Sequence, residues 1–190
     1  MPTNKKYKHL KNDTIQIGAR TLYRIQALRN FSNIYKGDKG GYIEKELNLS
    51  HEGDAWVYRD AYVFGDAQIY GNAQIYGNAQ IYGDAHVYGD ARVFGNARVS
   101  GNVRVFENVQ IYGNAWVSGD AQVFGYAWVC EDAWVSGDAY VSGDARVFGH
   151  AWVSIRADIT TDIDFEIPRI KLDNTDKVNI LMEVLKKLED

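Results

Sequence analysis

The sequence predicts an all-β solenoid, a chain wound into short strands stacked coil upon coil. Three observations carry this reading. From Gly53 to Ser154 the 190-residue chain parses into seventeen uninterrupted hexads of the form Gly-[Asp/Asn]-Ala-x-[Val/Ile]-z. Within each hexad Ala and Val/Ile alternate with variable residues, the period of two that a short strand shows when one side faces inward. Gly-Asp or Gly-Asn then turns the chain, and a tight turn every six residues leaves runs too short for a hairpin meander.

The corner of each hexad departs from its phrase in a regulated way. Where Gly is lost, at Arg59, Glu107 and Glu131, the next residue is Asp60, Asn108 or Asp132. Where Asp/Asn is lost, at Tyr126 and His150, Gly125 and Gly149 remain. Every corner thus keeps one residue tolerant of positive φ, the mark of a backbone demand more than of a ligand.

The flanks differ from the repeat, and three segments are expected: residues 1–52, 53–154 and 155–190. In the first, "TIQIGARTLYRIQAL" alternates around Gly18 as a β-hairpin cap would, and the Gly-rich "KGDKGG" leads to Ile43 and Leu49 in hexad register. In the last, "DITTDIDFEIPRI" reads as strand broken by Pro168. "NTDKVNILMEVLKKLED" reads as an amphipathic α-helix, with Asn174 or Thr175 as its cap and Val178, Leu181, Leu185 and Leu188 as its apolar stripe. Open coil ends expose unpaired strand edges, which is why both flanks are expected to cover them.

Composition narrows the function classes. An apolar content of 46% with two prolines is that of a folded domain. No apolar run is long enough for a membrane span and the start carries no signal-like apolar stretch, so a cytoplasmic protein is expected. Residues 1–52 carry ten Lys/Arg against five Asp/Glu and the remainder eleven against twenty, a balance that argues against nucleic acid. The single cysteine, Cys130, forms neither an internal disulfide nor a Cys-based zinc site.

These hexads resemble the hexapeptide-repeat, left-handed parallel β-helix, and the resemblance implies three hexads per coil. Reading every third hexad supports that number, because the z column then sorts into three walls. The first reads Tyr58, Tyr76, Phe94, Tyr112, Cys130, Phe148; the second Phe64, Tyr82 and then Ser100, Ser118, Ser136, Ser154; the third Tyr70, Tyr88, Phe106, Phe124, Ser142. The x column of the second wall ends in Trp116, Trp134 and Trp152. With strands about 4.8 Å apart the stack is roughly 27 Å long.

Outward aromatic walls either stack as ladders or mark an interface. A homo-oligomer, dimer or trimer, is expected through Tyr76, Phe94, Tyr112 and Phe148, joined by Leu181 and Leu185. Binding candidates are the Trp116, Trp134, Trp152 ladder and the two departures Glu107 and Tyr126, which fall on one edge of adjacent coils with Asn108. Planar rings beside hydroxyls suit a sugar, a nucleobase or a protein loop.

More closely, "TLYRIQALRNFSNIYKGDKGGYIEKELNLSHEGDAWVYRDAYVFGDA" resembles the lead-in of YdcK-like bacterial and phage proteins, which implies a β-helical protein carried on mobile elements and brings no activity with it. Hexapeptide acyltransferases, also similar, extrude a loop and use a histidine base. Here the coils are unbroken, and His86 and His150 lie about 17 Å apart by coil spacing, too far to share a zinc ion. The expectation is a non-enzymatic scaffold that engages a host protein or small ligand, with no metal and no cofactor. A purely structural oligomerisation module and an acyltransferase-like enzyme are the alternatives.

Overall fold

A computed structural model describes residues 5–154, 158–160 and 163–165. The expected C-terminal helix, with Leu181 and Leu185, lies outside them. Between Trp56 and Ile159 each hexad contributes a short strand, mostly the x residue and the Val/Ile after it. Strands three hexads apart pair in parallel, for example Arg92↔Gln110 with Val93↔Ile111 and Trp116↔Trp134 with Val117↔Val135. A coil is therefore 18 residues, and the described residues form three sheets around a parallel solenoid of about six turns.

The core is the inward column. Every Ala or Val at the third hexad position and every Val/Ile at the fifth is buried, including Val103 and Val109, which stand where other hexads have Ala. Coil-to-coil bonds use the amides of the second, fourth and sixth residues of a hexad. Those of Asp90, Arg92 and Phe94 donate to the carbonyls of Glu107, Val109 and Ile111 at 2.8, 2.8 and 2.9 Å. The alternation read from sequence thus places one side of each strand in a dry interior and leaves the other for the walls.

The corners follow a stricter rule than compensation between neighbours. Positive φ stays at the first hexad position even where glycine is absent, with Arg59 at 49°, Glu107 at 63° and Glu131 at 59°. Asp60, Asn108 and Asp132 do not take it over, which corrects the expectation that the next residue supplies the tolerance. Geometry demands glycine there for another reason as well. A Cβ on Gly83 would stand 2.8 Å from the Gly101 amide nitrogen of the next coil.

The second hexad position has its own logic. Asn side chains donate along the stack: Asn78 to Asn96 at 3.2 Å, Asn96 to Asn114 at 3.1 Å, and Asn114 to the Asp132 carboxylate at 3.0 Å. Asn72 likewise donates to Asp90 and Asn102 to Asp120. The drift between GNA and GDA is a directional amide ladder that can end on a carboxylate.

At the front of the solenoid, β1 (Tyr7–Ile17) and β2 (Arg20–Ala27) form an antiparallel hairpin with a register shift between Leu10 and Thr14. β2 pairs antiparallel with β3 (Lys39–Ile43), which pairs parallel with Tyr62–Val63 and so continues the second wall. The first coil has no preceding coil to donate to its carbonyls, and the N-terminal segment supplies substitutes. The Lys6 ammonium donates to Ala55 O at 2.8 Å and Gly53 O at 3.3 Å. The Arg24 guanidinium reaches Arg59 O at 2.9 Å and the Tyr42 amide reaches Ala61 O at 2.9 Å. The Asn48 side-chain amide takes Gly65 O and Ala67 O at 3.1 and 2.9 Å. Three corners of one edge are thereby satisfied by a cation, a guanidinium with a strand, and an amide.

Lys6 and Asn48 are fully buried in these roles. Burial, reinforced by the Arg29 charge, holds the Lys6 ammonium down at about 8. Trp56, an x residue expected to face outward, is also buried, with its ring 5.3 Å from Phe31 and 6.3 Å from Tyr7 under the N-terminal segment.

Candidate functional site

The outward residues are organised by a simple offset, in which an x side chain leans over the z residue sixteen positions earlier. On the second wall this explains the serine column. Trp116 Nε1 donates to Ser100 Oγ at 3.3 Å and Trp134 Nε1 to Ser118 Oγ at 3.4 Å. Where the z residue is large the indole meets it edge-on instead, as Trp128 does Tyr112 at 6.4 Å. The rings of Trp116 and Trp134 stack at 5.0 Å and those of Trp134 and Trp152 at 5.2 Å, nearly parallel. Trp134 is 37% exposed, whereas Nε1 of Trp152 is buried without a partner.

The first and third walls are aromatic ladders. Tyr76–Phe94 and Phe94–Tyr112 stack at 4.9 Å, and Tyr70, Tyr88, Phe106 and Phe124 do the same at 4.7 to 5.1 Å, all within 7° of parallel. Each ring covers its neighbour's face, so these side chains are half-buried and present mainly their edges.

The first wall's ladder breaks at Cys130, which is buried and occupies the rung between Tyr112 and Phe148. The Tyr112 hydroxyl is pushed up to about 12, first by its hydrogen bond to Cys130 and then by burial. Burial raises the Cys130 thiol as well, so it stays protonated and unreactive near neutrality. A cavity of about 220 Å³ opens here, lined by Tyr112, Trp128, Cys130, Glu131, Arg146 and Phe148.

Beside it, along the corner between the third and first walls, runs a groove of about 640 Å³. One side is the second-position column Asp90, Asn108, Tyr126, Asp144; the other is the x column Arg92, Gln110, Trp128, Arg146. Tyr126 projects, 63% exposed, where its neighbours in the column are short polar residues. The Arg146 guanidinium carbon lies 4.8 Å from the Trp128 ring centre. Two cations and two carboxylates balance within the lining, leaving a near-neutral trough with two aromatic surfaces and two side-chain amides.

The structure therefore distributes the sequence candidates. Tyr126 lies in the groove. Trp116, Trp134 and Trp152 form their own ladder on another wall. Glu107 turns back on its own stack, its carboxylate accepting the Gly125 amide of the next coil at 2.8 Å, as Glu131 does from Gly149 at 2.9 Å. Tyr76, Phe94, Tyr112 and Phe148 share one wall. His86 sits edge-on to Tyr70 at 6.2 Å, and exposed His150 lies 3.7 Å from Asp132. Among the described residues no group of His, Cys, Asp and Glu could hold a metal ion, and no helix is long and apolar enough to cross a membrane.

Sequence reasoning missed Trp128 and Arg146. Reading every third hexad in the first wall's x column, Trp56, Gln74, Arg92, Gln110, Trp128, Arg146, would have found them, because an indole and a guanidinium there stand on consecutive coils beside the Tyr126 departure. The YdcK beta solenoid repeat family model matches residues 79–95, 91–107, 97–113 and 109–125, which include Asp90, Arg92, Asn108 and Gln110 of this groove. No curated protein matches the chain.

Proposed function

The chain carries YdcK-type β-solenoid repeats, and from that premise we propose that it is a non-enzymatic binding scaffold whose recognition surface is the corner groove. Its ligand is an extended, uncharged, hydroxyl-rich chain, a neutral glycan. The observation that carries this is the composition of the lining. Tyr126 offers an exposed ring to the C–H side of a sugar and Trp128 an indole partly covered by the Arg146 guanidinium, while Asp90, Asn108, Gln110 and Asp144 offer hydroxyl partners. Opposite charges cancel within the trough, which disfavours an ionic ligand. Spanning several coils, the groove favours a polymer lying along the axis over a compact molecule. The Trp116, Trp134, Trp152 ladder is a second wall of the same scaffold.

The rest of the proposal follows the repeat. The winding is left-handed, as in the hexapeptide-repeat helices it resembles; the N-terminal hairpin acts as a cap; and residues 1–52, 53–154 and 155–190 act as cap, solenoid and tail. A homo-oligomer joined through the Tyr76, Phe94 and Tyr112 run of the first wall, with the Cys130 and Phe148 end left open, encoded on phage or a mobile element and resident in the cytoplasm, would present several grooves at once. A purely structural module is the second reading, favoured by the ladders themselves, since the stacked rings stabilise the coils without any partner.

Titration with neutral linear tetrasaccharides, followed by calorimetry, separates the two. Binding that Tyr126→Ala and Trp128→Ala each weaken at least about tenfold, with melting temperature nearly unchanged, supports the groove. Binding indifferent to both variants, or none with any neutral glycan, returns the protein to the structural reading.

A further inference from the structure

The break in the first wall's ladder points to a second site of different chemistry. Along that wall Tyr76, Phe94 and Tyr112 stack ring on ring at 4.9 Å. Phe148 returns the column to an aromatic residue after Cys130. The rings that flank the absent rung therefore stand roughly 10 Å apart, twice the strand spacing. That separation holds one further planar ring and leaves no room for two, with the Trp128 indole, edge-on to Tyr112 at 6.4 Å, closing one side of the opening. The cavity at this place measures about 220 Å³, and an apolar cavity of about 150 Å³ already takes up benzene.

We propose that the vacated rung between Tyr112 and Phe148 is a binding slot for a small, single-ring aromatic molecule carrying a carboxylate, which completes the ladder when bound. The Cys130 side chain forms the floor, and its size is what matters: it stops short where the other residues of the column project a ring. The charged groups at the mouth are Arg146 and Glu131. The Glu131 carboxylate already accepts the Gly149 amide, whereas the Arg146 guanidinium lies over Trp128 with its donors free to meet an anionic substituent on the inserted ring. No bond is made or broken; the gain is stacking on two faces plus one charge-assisted hydrogen bond.

This inference does not depend on the glycan reading. Trp128 and Arg146 line both places, but Cys130 lines the slot and not the groove. Substitution at Cys130 therefore tests the slot alone.

The experiment is titration of the full-length protein with 4-hydroxybenzoate, read by intrinsic tryptophan fluorescence and by ligand-observed NMR, with phenol and cyclohexanecarboxylate as comparators. Saturable binding of 4-hydroxybenzoate is expected, with phenol weaker and the puckered cyclohexane ring excluded. Cys130→Phe fills the rung, so it should raise the melting temperature and lower affinity at least about tenfold, while Cys130→Ala keeps binding. Arg146→Gln should reduce 4-hydroxybenzoate affinity to the phenol level. Magnetisation transfer from the Tyr112 and Phe148 rings to the ligand is expected in the unsubstituted protein, so the test stands even if Cys130→Phe fails to fold. Undiminished binding in Cys130→Phe, equal binding of cyclohexanecarboxylate, no transfer from those two rings, or no saturable binding at all would overturn the proposal.

Discussion

At Arg59, Glu107 and Glu131 the backbone holds an L side chain in the left-handed region, with φ of 49°, 63° and 59°, which costs about 1 kcal/mol each. Glu107 and Glu131 recover part of it by accepting the amide of Gly125 or Gly149. Arg59 has an exposed side chain at the front of the stack, so Arg59→Gly should stabilise the protein by about 1 kcal/mol in urea unfolding. Gly83→Ala should cost about 2 kcal/mol or more, since φ is +74° and the added Cβ meets backbone of the next coil. Equal effects of the two would show that the first hexad position is not the strained one. The sequence showed that each corner makes a backbone demand but not which of its two residues meets it. Gly and Asx both tolerate positive φ, and only the coil-to-coil contact, which joins residues 18 apart, distinguishes them.

At the scale of an element, the front edge is where sequence reasoning reached least far. Strand pattern located the hairpin and the hexad register, because both are local periodicities. That Lys6 and Asn48 would be buried on first-coil carbonyls was not legible, since their carbonyl partners lie 17 to 49 positions away and neither departs from a pattern. The groove is half legible for a related reason: Tyr126 breaks the phrase, whereas Trp128 obeys it in a position where any residue is allowed. Asn48→Ala should expose Gly65 O and Ala67 O to no partner and cost about 1–3 kcal/mol. Lys6 adds a pH signature. Unfolded, its ammonium keeps the proton up to 10.5; folded, it releases it near 8, so stability should climb with pH across that window, by about 3 kcal/mol in all. Burial raises Tyr7, and the Cys130 contact with burial raises Tyr112, so the folded state resists ionisations that the unfolded chain undergoes near pH 10. Stability should therefore turn downward above that point. Urea unfolding across the alkaline range checks both limbs, and Lys6→Met should flatten the first while leaving the second. A rise that persists in Lys6→Met would assign it to another group.

For the whole molecule, the walls set how copies can join. The first wall offers a column of stacked ring edges that is continuous over Tyr76, Phe94 and Tyr112, the kind of surface that a second copy can cover. If it does, Phe94→Glu with Tyr112→Glu should lower the mass seen by sedimentation and leave the β-rich circular dichroism in place; a monomeric unsubstituted protein would remove the assembly from the proposal. The 18-residue spacing of paired strands also sets how such a chain can change length. Duplicating or deleting a stretch of that size inserts or removes one storey and leaves every wall, ladder and corner in alignment with itself. A change of six or twelve residues keeps the interior intact, because all hexads share it, but rotates everything beyond by one wall, setting indoles over rings and carboxylates over amides that were never matched. The interior thus tolerates small steps that the exterior does not, and lineages of this chain should differ in length by whole storeys wherever the outer surface carries the function.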